Sequence, residues 1–544
     1  MAGNHDNKLT MNYYSIKFNY IIYIFLATFA FYINYFFGNI GLFPIDTFSF
    51  FDSGYLITKG YHPIKDFWVI SGIFGDYVQA LFFLIFGNNW NAYLFHSSFM
   101  NMLISVFFFF FLNTIRGNHY LNFLLSISLS ILCYPVAGTP FPYQHSFILS
   151  LFSIMIFYLA VYKDENKYWF FLPFLMLASF LSMQLPSGLI NFIIIIFTVV
   201  YFIYFKKNFL KSFLFGSIIC LTILISYFSL VGVNVKDFVI QLILFPLTIG
   251  EGRILGDESA YESANLLKKL TFRGTFGHFK FIVIFIFANL VALFFYFKKN
   301  KKFVFEKQVL LNISIFFFSL SFIFHQLITA NQTFIFSLIP ILCGFFLIEV
   351  EKFFSISRKK LNIILIILIL FVTIKYHRDY NVNRKFMDLQ NINLSKYIEA
   401  KILSKNFNNL KWITPQSNEK EPDKEIRLLK EVSDIIANED TKEIAIITHY
   451  QFFSAIGGKK IKIFNRWYFT GNNTHPSNKK NRYYDYYNNR IYQSIKKNDI
   501  RKIYLVKAYP NEFEFINFKD QLKDYCFDRT QKTEILFLIN IKNC

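Results

Sequence analysis

Apolar runs of about 20 residues recur from residue 16 to residue 376, each long enough to cross the hydrocarbon core of a bilayer as a helix. Lipid offers no water to the backbone, so a chain of this kind must satisfy its amides within helices and fold as a bundle. The runs predict eleven spans, at 16–38, 91–114, 119–137, 144–162, 168–185, 187–205, 210–231, 278–297, 308–328, 333–350 and 360–376. The first should stay as an anchor, because it is too long for a signal peptide and lacks a small-residue cleavage site. A shorter run at 73–87 contains Asp76 and Gln79, which argues for a helix lying at the interface.

Charge decides how the bundle is oriented. Short clusters at Arg116, Lys163/Lys167, Lys206/Lys207/Lys211, Lys298–Lys302 and Lys352–Lys360 all fall on one face if 73–87 does not cross. Basic loops face the cytoplasm, so the N-terminus is expected inside and the C-terminus outside. The net charge of +21 is no footprint of nucleic acid by default, because Lys and Arg gather in short loops between apolar runs. Segments 39–90, 138–144, 184–188 and 232–277 then lie on the outer face. The chain is expected to be integral to a bacterial plasma membrane.

From residue 379 the chain is polar. "LKWIT" (410–414), "EIAIITH" (443–449), "KIKIF" (460–464), "KIYLVKA" (502–508) and "EILFLIN" (534–540) read as buried strands, and 424–438 and 485–497 read as helices. That order predicts a largely parallel sheet. No phosphate-binding glycine loop follows any strand. The expected fold is therefore a polytopic α-helical membrane protein, 1–378, with interfacial helices in its first outer loop and an extracytoplasmic α/β domain, 379–544.

The first outer loop is unusually polar for a segment between two apolar runs. It reads "IDTFSFFDSGYLITKGYHPIKDFW" over 45–68, then "GIFGDYVQALFFLIFG". Asp46 follows Pro44 at the exit of the first span, and carboxylates alternate with aromatics. This pattern resembles the first outer loop of the GT-C glycosyltransferases, polytopic enzymes that use lipid-linked sugars, among them bacterial aminoarabinose transferases and protein O-mannosyltransferases. Asp46 matches the clan's first acid, Gly60 and Pro63 its turn, Asp66 its second Asp, and Phe86-Gly87 its helix end. The chain departs from the common form at Asp46-Thr47, where Asp-Glu is usual, and at "VISG", where Lys-Pro-Pro is usual. The likeness covers about 50 residues and is to the clan rather than to one subfamily.

The resemblance implies an inverting glycosyltransferase that moves a sugar from a polyprenyl-phosphate donor to an extracytoplasmic lipid, glycan or protein. A carboxylate at the bilayer surface suits the general base that such a transfer needs, and Asp46 fills that role. Asp66 would position the acceptor or, as in some members of the clan, help hold a divalent metal. No other cofactor is implied. Cations must meet the charge that develops on the leaving phosphate. Arg253 in "GEGRILG", Arg273, Lys59 and His62 lie on the expected outer face and could meet it. Gln184 in "SMQLPSG" stands where many members carry a Lys. Gln144 and His145 in "PYQHS" stand where some carry an acid, and could bind sugar hydroxyls. Asp52 has no counterpart in the pattern and is expected to face water.

A polymerase, ligase or transporter of the cell envelope is the alternative. Transporters show midspan charges and paired halves, and these spans show few charges and no repeat. An O-antigen-type ligase keeps its key loop later in the chain than 232–277. Cys133, Cys220 and Cys343 lie in apolar runs as small hydrophobes. Cys526 and Cys544 flank the last strand and should pair in an oxidising compartment. Reporter fusions at residues 300 and 480 test the orientation. The first should report inside and the second outside; an inside location for residue 480 would make 73–87 a true span.

Overall fold

The computed structural model describes residues 3–544 apart from 134–137, 206–207, 257–265, 273–276, 301–305, 330–332, 354–357, 419–420, 442, 470, 510–511 and 515. Among the described residues, nine helices are long and apolar enough to cross a membrane. Eight coincide with expected spans, from Tyr20–Gly38 to Lys359–Met387. The remaining three expected spans are shorter helices, His119–Cys133, Asn166–Phe180 and Leu338–Phe353, of 15, 15 and 16 residues. The protein is thus an integral membrane protein of the polytopic helical class.

Polar side chains clamp the bundle. Asn34 Nδ2 donates to Ser97 Oγ (2.8 Å) and Ser98 Oγ (2.9 Å). Asn101 Nδ2 donates to the carbonyls of Ala30 (2.8 Å) and Ser130 (2.9 Å). Arg116 pairs with Glu351 at 2.5 Å. Such bonds tie helices together where lipid removes the hydrophobic drive. A Cβ on Gly138, whose φ is +77°, would stand 2.2 Å from the Gly38 Cα, so glycine lets these two backbones touch.

The ninth long helix is a departure from expectation. Residues 235–255, placed in an outer loop by sequence, form one helix that changes to π geometry over Ile240–Leu244. Its side chains meet the tail and the first loop: Phe245 packs edge-on to Trp68, and Asp237 pairs with Arg490 at 3.0 Å. It is long and apolar enough to cross a membrane, and only part of it, including Ile240, Leu242 and Phe245, is buried against the first loop and the tail.

The tail forms a five-stranded sheet in the order Lys462–Ile463, Ile444–Thr448, Lys502–Val506, Leu536–Asn543, Tyr525–Gln531. The first three strands are parallel and the last two antiparallel, so the sheet is mixed rather than largely parallel. The strand Tyr525–Gln531 escaped the sequence reading because it is an exposed edge with a polar sequence. The stretch 410–414 contributes only Lys411–Trp412, which pairs with Ile398–Glu399 outside the main sheet. Ile444–Thr448 is buried throughout, as a strand covered on both faces must be. Helix Pro422–Ala437 covers one face through Ile426, Leu429, Val432 and Ile436; Tyr484–Lys497 covers the other through Tyr487, Ile491 and Ile495.

Backbone pairing stitches this tail to the loop that follows the first long helix. Gly41 and Leu42 N–H donate to the carbonyls of Lys411 (3.0 Å) and Ile413 (2.9 Å), and Lys411 N–H donates to Asn39 (2.8 Å). Farther on, Trp68 N–H donates to Phe464 (2.7 Å) and Arg466 N–H donates to Trp68 (3.0 Å), extending the sheet beyond its edge strand. One apolar core runs from Phe48, Phe51 and Trp90 into Trp412, Phe407 and Phe452.

Cys526 and Cys544 are joined by a disulfide with their Cα atoms 5.0 Å apart. It pins the last strand to the exposed edge strand. With the cysteines 18 positions apart, the chain-entropy model assigns it about 3 kcal/mol. Cys526→Ser should lower the unfolding free energy of the tail by about that amount, read by hydrogen exchange of the sheet. Free alkylation of both thiols in denatured, non-reduced protein would show that the bridge is absent.

Candidate functional site

Asp46 lies on a one-turn helix, Pro44–Thr47, that follows the first long helix after the short stretch 39–43. Proline at its first position needs no N–H partner and suits a helix start. Thr47 Oγ1 accepts from Phe43 N–H at 2.8 Å, and Tyr93 Oη donates to the Thr47 carbonyl at 2.9 Å while accepting from Phe50 N–H at 3.2 Å. The turn is thus anchored from the helix Trp90–Ile115. The Asp46 residue is only 8% exposed, yet among the described residues nothing hydrogen-bonds its carboxylate. Burial pushes that carboxyl up to about 7, against the charge of nearby His449, which lowers it.

His449 follows the strand Ile444–Thr448 directly. Its Nε2 donates to the Tyr468 carbonyl at 2.7 Å, and its Nδ1 faces Glu512. Both ring nitrogens therefore face oxygens. Glu512 is in turn oriented by the N–H groups of Ala508 and Tyr509, just past the strand Lys502–Val506. The cluster therefore sits at the carboxyl ends of two neighbouring parallel strands, the usual place for a site in such a sheet.

Asp52 does not face water. It is fully buried, and its carboxylate accepts from the N–H groups of Ala455 (2.9 Å) and Ser454 (3.3 Å). Its own N–H donates to Gln451 at 3.0 Å. Burial raises this carboxyl to about 7 as well, against the two N–H bonds. The sequence reading failed here because the covering surface comes from about 400 residues away.

A second buried acid supports the same region. Asp76 accepts from Ser53 Oγ and pairs with Arg466, each at 2.5 Å. Arg466 also donates to the Gly72 carbonyl at 2.9 Å and to Ser71 Oγ, and lies over the Phe50 ring. The backbone at Gly72 abuts Leu181, where a Cβ would stand 1.6 Å from the carbonyl oxygen. Gly72 N–H donates to Ser182 at 3.1 Å. This contact sets Gln184, at the start of the next helix, beside the first loop.

The other candidates fall in separate places. Asp66 closes a turn by accepting from His62 N–H at 2.8 Å, and His62 Nδ1 meets Tyr77 Oη at 3.0 Å. No contact joins Asp66 to Asp46 among the described residues. Lys59 is exposed over the Tyr55 ring. Gln144 and His145 are fully buried: Gln144 donates to the Cys133 carbonyl at 2.9 Å, and His145 Nε2 meets His96 Nε2 at 2.7 Å. Arg253 is helical rather than in a glycine loop and donates to Asn473 Oδ1 at 3.0 Å. Arg273 lies outside the described residues. Among the described residues no three His, Cys, Asp or Glu side chains converge on a metal position.

His449, Glu512, Tyr93 and Arg466 were missed from sequence. A histidine closing an apolar strand in "IAIITH" was the one available signal. Compared with known proteins, the chain matches no family model and no curated sequence.

Asp52→Ala would leave two buried N–H groups without a partner, at about 1–3 kcal/mol each, whereas Asp52→Asn keeps one acceptor. Hydrogen exchange over 449–457 should show weakened protection in the order Ala, Asn, parent. The native state, with Asp46 and Asp52 raised to about 7, binds protons that the unfolded chain releases near pH 4. Tail stability should therefore fall as pH rises from about 4 to about 7, and Asp52→Asn should flatten that slope.

Proposed function

We propose that the protein is a membrane glycosyltransferase that transfers a sugar from a polyprenyl-phosphate donor to an extracytoplasmic acceptor, with Asp46 as general base and inversion at the anomeric carbon. The observation that carries this reading is the state of Asp46. It sits just past the first long helix, roofed by the tail, with no hydrogen bond to its carboxylate among the described residues and a pKa close to neutrality. A base works best when its pKa lies near the working pH and its lone pairs are free for the incoming proton.

Further support comes from the first loop. Its helices Phe51–Thr58 and Phe74–Phe86 lie between the first two long helices, the arrangement that the resemblance implies. At 13 residues, or about 20 Å, the second is too short to cross a core of about 30 Å, in keeping with an interfacial helix and a tail on the outer face. Eleven crossings follow if the three shorter helices span and 235–255 does not.

In the proposed reaction the acceptor hydroxyl gives its proton to an Asp46 carboxylate oxygen as its own oxygen attacks the anomeric carbon. The bond from that carbon to the phosphate oxygen breaks, and the electron pair leaves on the phosphate. Arg253 and Gln184 are the groups proposed to meet that charge. His449, held by Glu512, favours the Asp46 anion until the proton arrives. The tail then forms part of the catalytic site and supplies the acceptor contacts.

Sugar transfer in proteoliposomes tests this. Because the carboxylate form is the active one, the rate should rise with pH up to about 7 and level off above it. Asp46→Asn should cost about 10²–10⁴-fold and abolish that rise. Full activity in Asp46→Asn would sink the mechanism.

A further inference from the structure

The turn Lys59–Lys65 and one corner of the tail bring lysines together around a single tyrosine. Lys462 Nζ lies 3.6 Å from the centroid of the Tyr61 ring and Lys460 Nζ lies 5.4 Å from it. Lys497, at the end of helix Tyr484–Lys497, repels the Lys462 charge. Asp66 is the one acid that pulls on Lys462, and among the described residues none of the three lysines forms an ion pair within 4 Å. Burial, with Lys497 and Lys460 against Asp66, pushes Lys462 down to about 8. The corner is short of negative charge.

Its position says where that charge comes from. Lys65 Nζ donates to the Val231 carbonyl at 2.8 Å, and Tyr227 Oη donates to the Pro63 carbonyl at 3.4 Å. Both contacts tie the turn to the end of helix Leu210–Val231, which is apolar and only 11% buried within the protein. A helix with that surface is lipid-facing, so its end marks the level of the headgroups. Tyr77 packs edge-on to Tyr227 at 5.8 Å, and tyrosines gather at this depth in membrane proteins.

We infer that Lys460, Lys462 and Lys497, with Tyr61, form a binding site for the phosphate headgroup of an anionic membrane lipid at the Val231 end of the bundle. Charge complementarity selects the headgroup, the tyrosine ring packs against its glycerol side, and the acyl chains lie along Leu210–Val231. The site is separate from the Arg253 contact proposed for the donor, and it does not rest on the transferase reading.

Native mass spectrometry of the full chain in neutral detergent tests this. The probes are phosphatidylglycerol, phosphatidylcholine and inorganic phosphate. The parent should retain phosphatidylglycerol in preference to phosphatidylcholine. Each lysine near a headgroup accounts for about fivefold in affinity. The triple variant Lys460→Gln, Lys462→Gln, Lys497→Gln should therefore lose about 100-fold. A control triple, Lys479→Gln, Lys519→Gln, Lys523→Gln, removes the same charge at the other basic corner of the tail and should bind as the parent does. If the first triple does not fold, the exposed Lys460→Gln alone should lose about fivefold. Unchanged binding in the folded variant, equal loss in both triples, or displacement by inorganic phosphate at matched concentration would each overturn the site.

Discussion

Main-chain hydrogen bonds between residues 39–42 and 411–413, and between Trp68 and residues 464–466, hold the molecule in one piece. They turn a membrane loop into an added edge of a water-facing sheet. A sheet edge is a row of unpaired donors and acceptors, and here a segment of the same chain fills it. Once the edges are paired, Phe48, Phe51, Trp412 and Phe452 close into one core. Every buried acid of the first loop then has the tail above it. Removing the pairing would expose aromatic surface and return Asp46 and Asp52 to ordinary carboxylates.

The chemistry of the region follows from that enclosure. Asp52 and Asp76 use their burial to hold structure, one on the N–H groups of Ser454 and Ala455 and the other on Arg466. Asp46 is equally enclosed, but nothing among the described residues occupies its carboxylate. Three acids on two adjoining stretches thus divide into two fasteners and one free group, and the free group is the one next to a histidine. Environment, not residue type, makes the difference.

Much of the bundle was legible in the sequence because bilayer thickness imposes a length that apolar runs either meet or miss. Helix 235–255 shows the limit of that signal: an apolar stretch that packs Phe245 on Trp68 and leaves Leu247 and Leu255 exposed reads the same whether or not it crosses lipid. Strands such as Ile444–Thr448 were legible from unbroken burial, whereas Tyr525–Gln531, wet on its outer side, looked like a loop. Asp46 could be singled out by its place after the first span. His449 and Glu512 could not be joined to it, because no local period or spacing links positions 46, 449 and 512. The exposure of Asp52 was misjudged for the same reason.

The bonds from Ser454 and Ala455 to Asp52 span 402 and 403 residues. A ribosome adds about 5–20 residues per second, so the partner emerges roughly 20–80 s after the loop has been threaded into place. Throughout that interval the loop's phenylalanines and acids stand at the bilayer surface without their roof. The tail, made last, is what completes them. The nascent chain must therefore be sheltered by the insertion machinery or by lipid headgroups, and any ribosome that stops before residue 449 releases a bundle whose first loop has no partner.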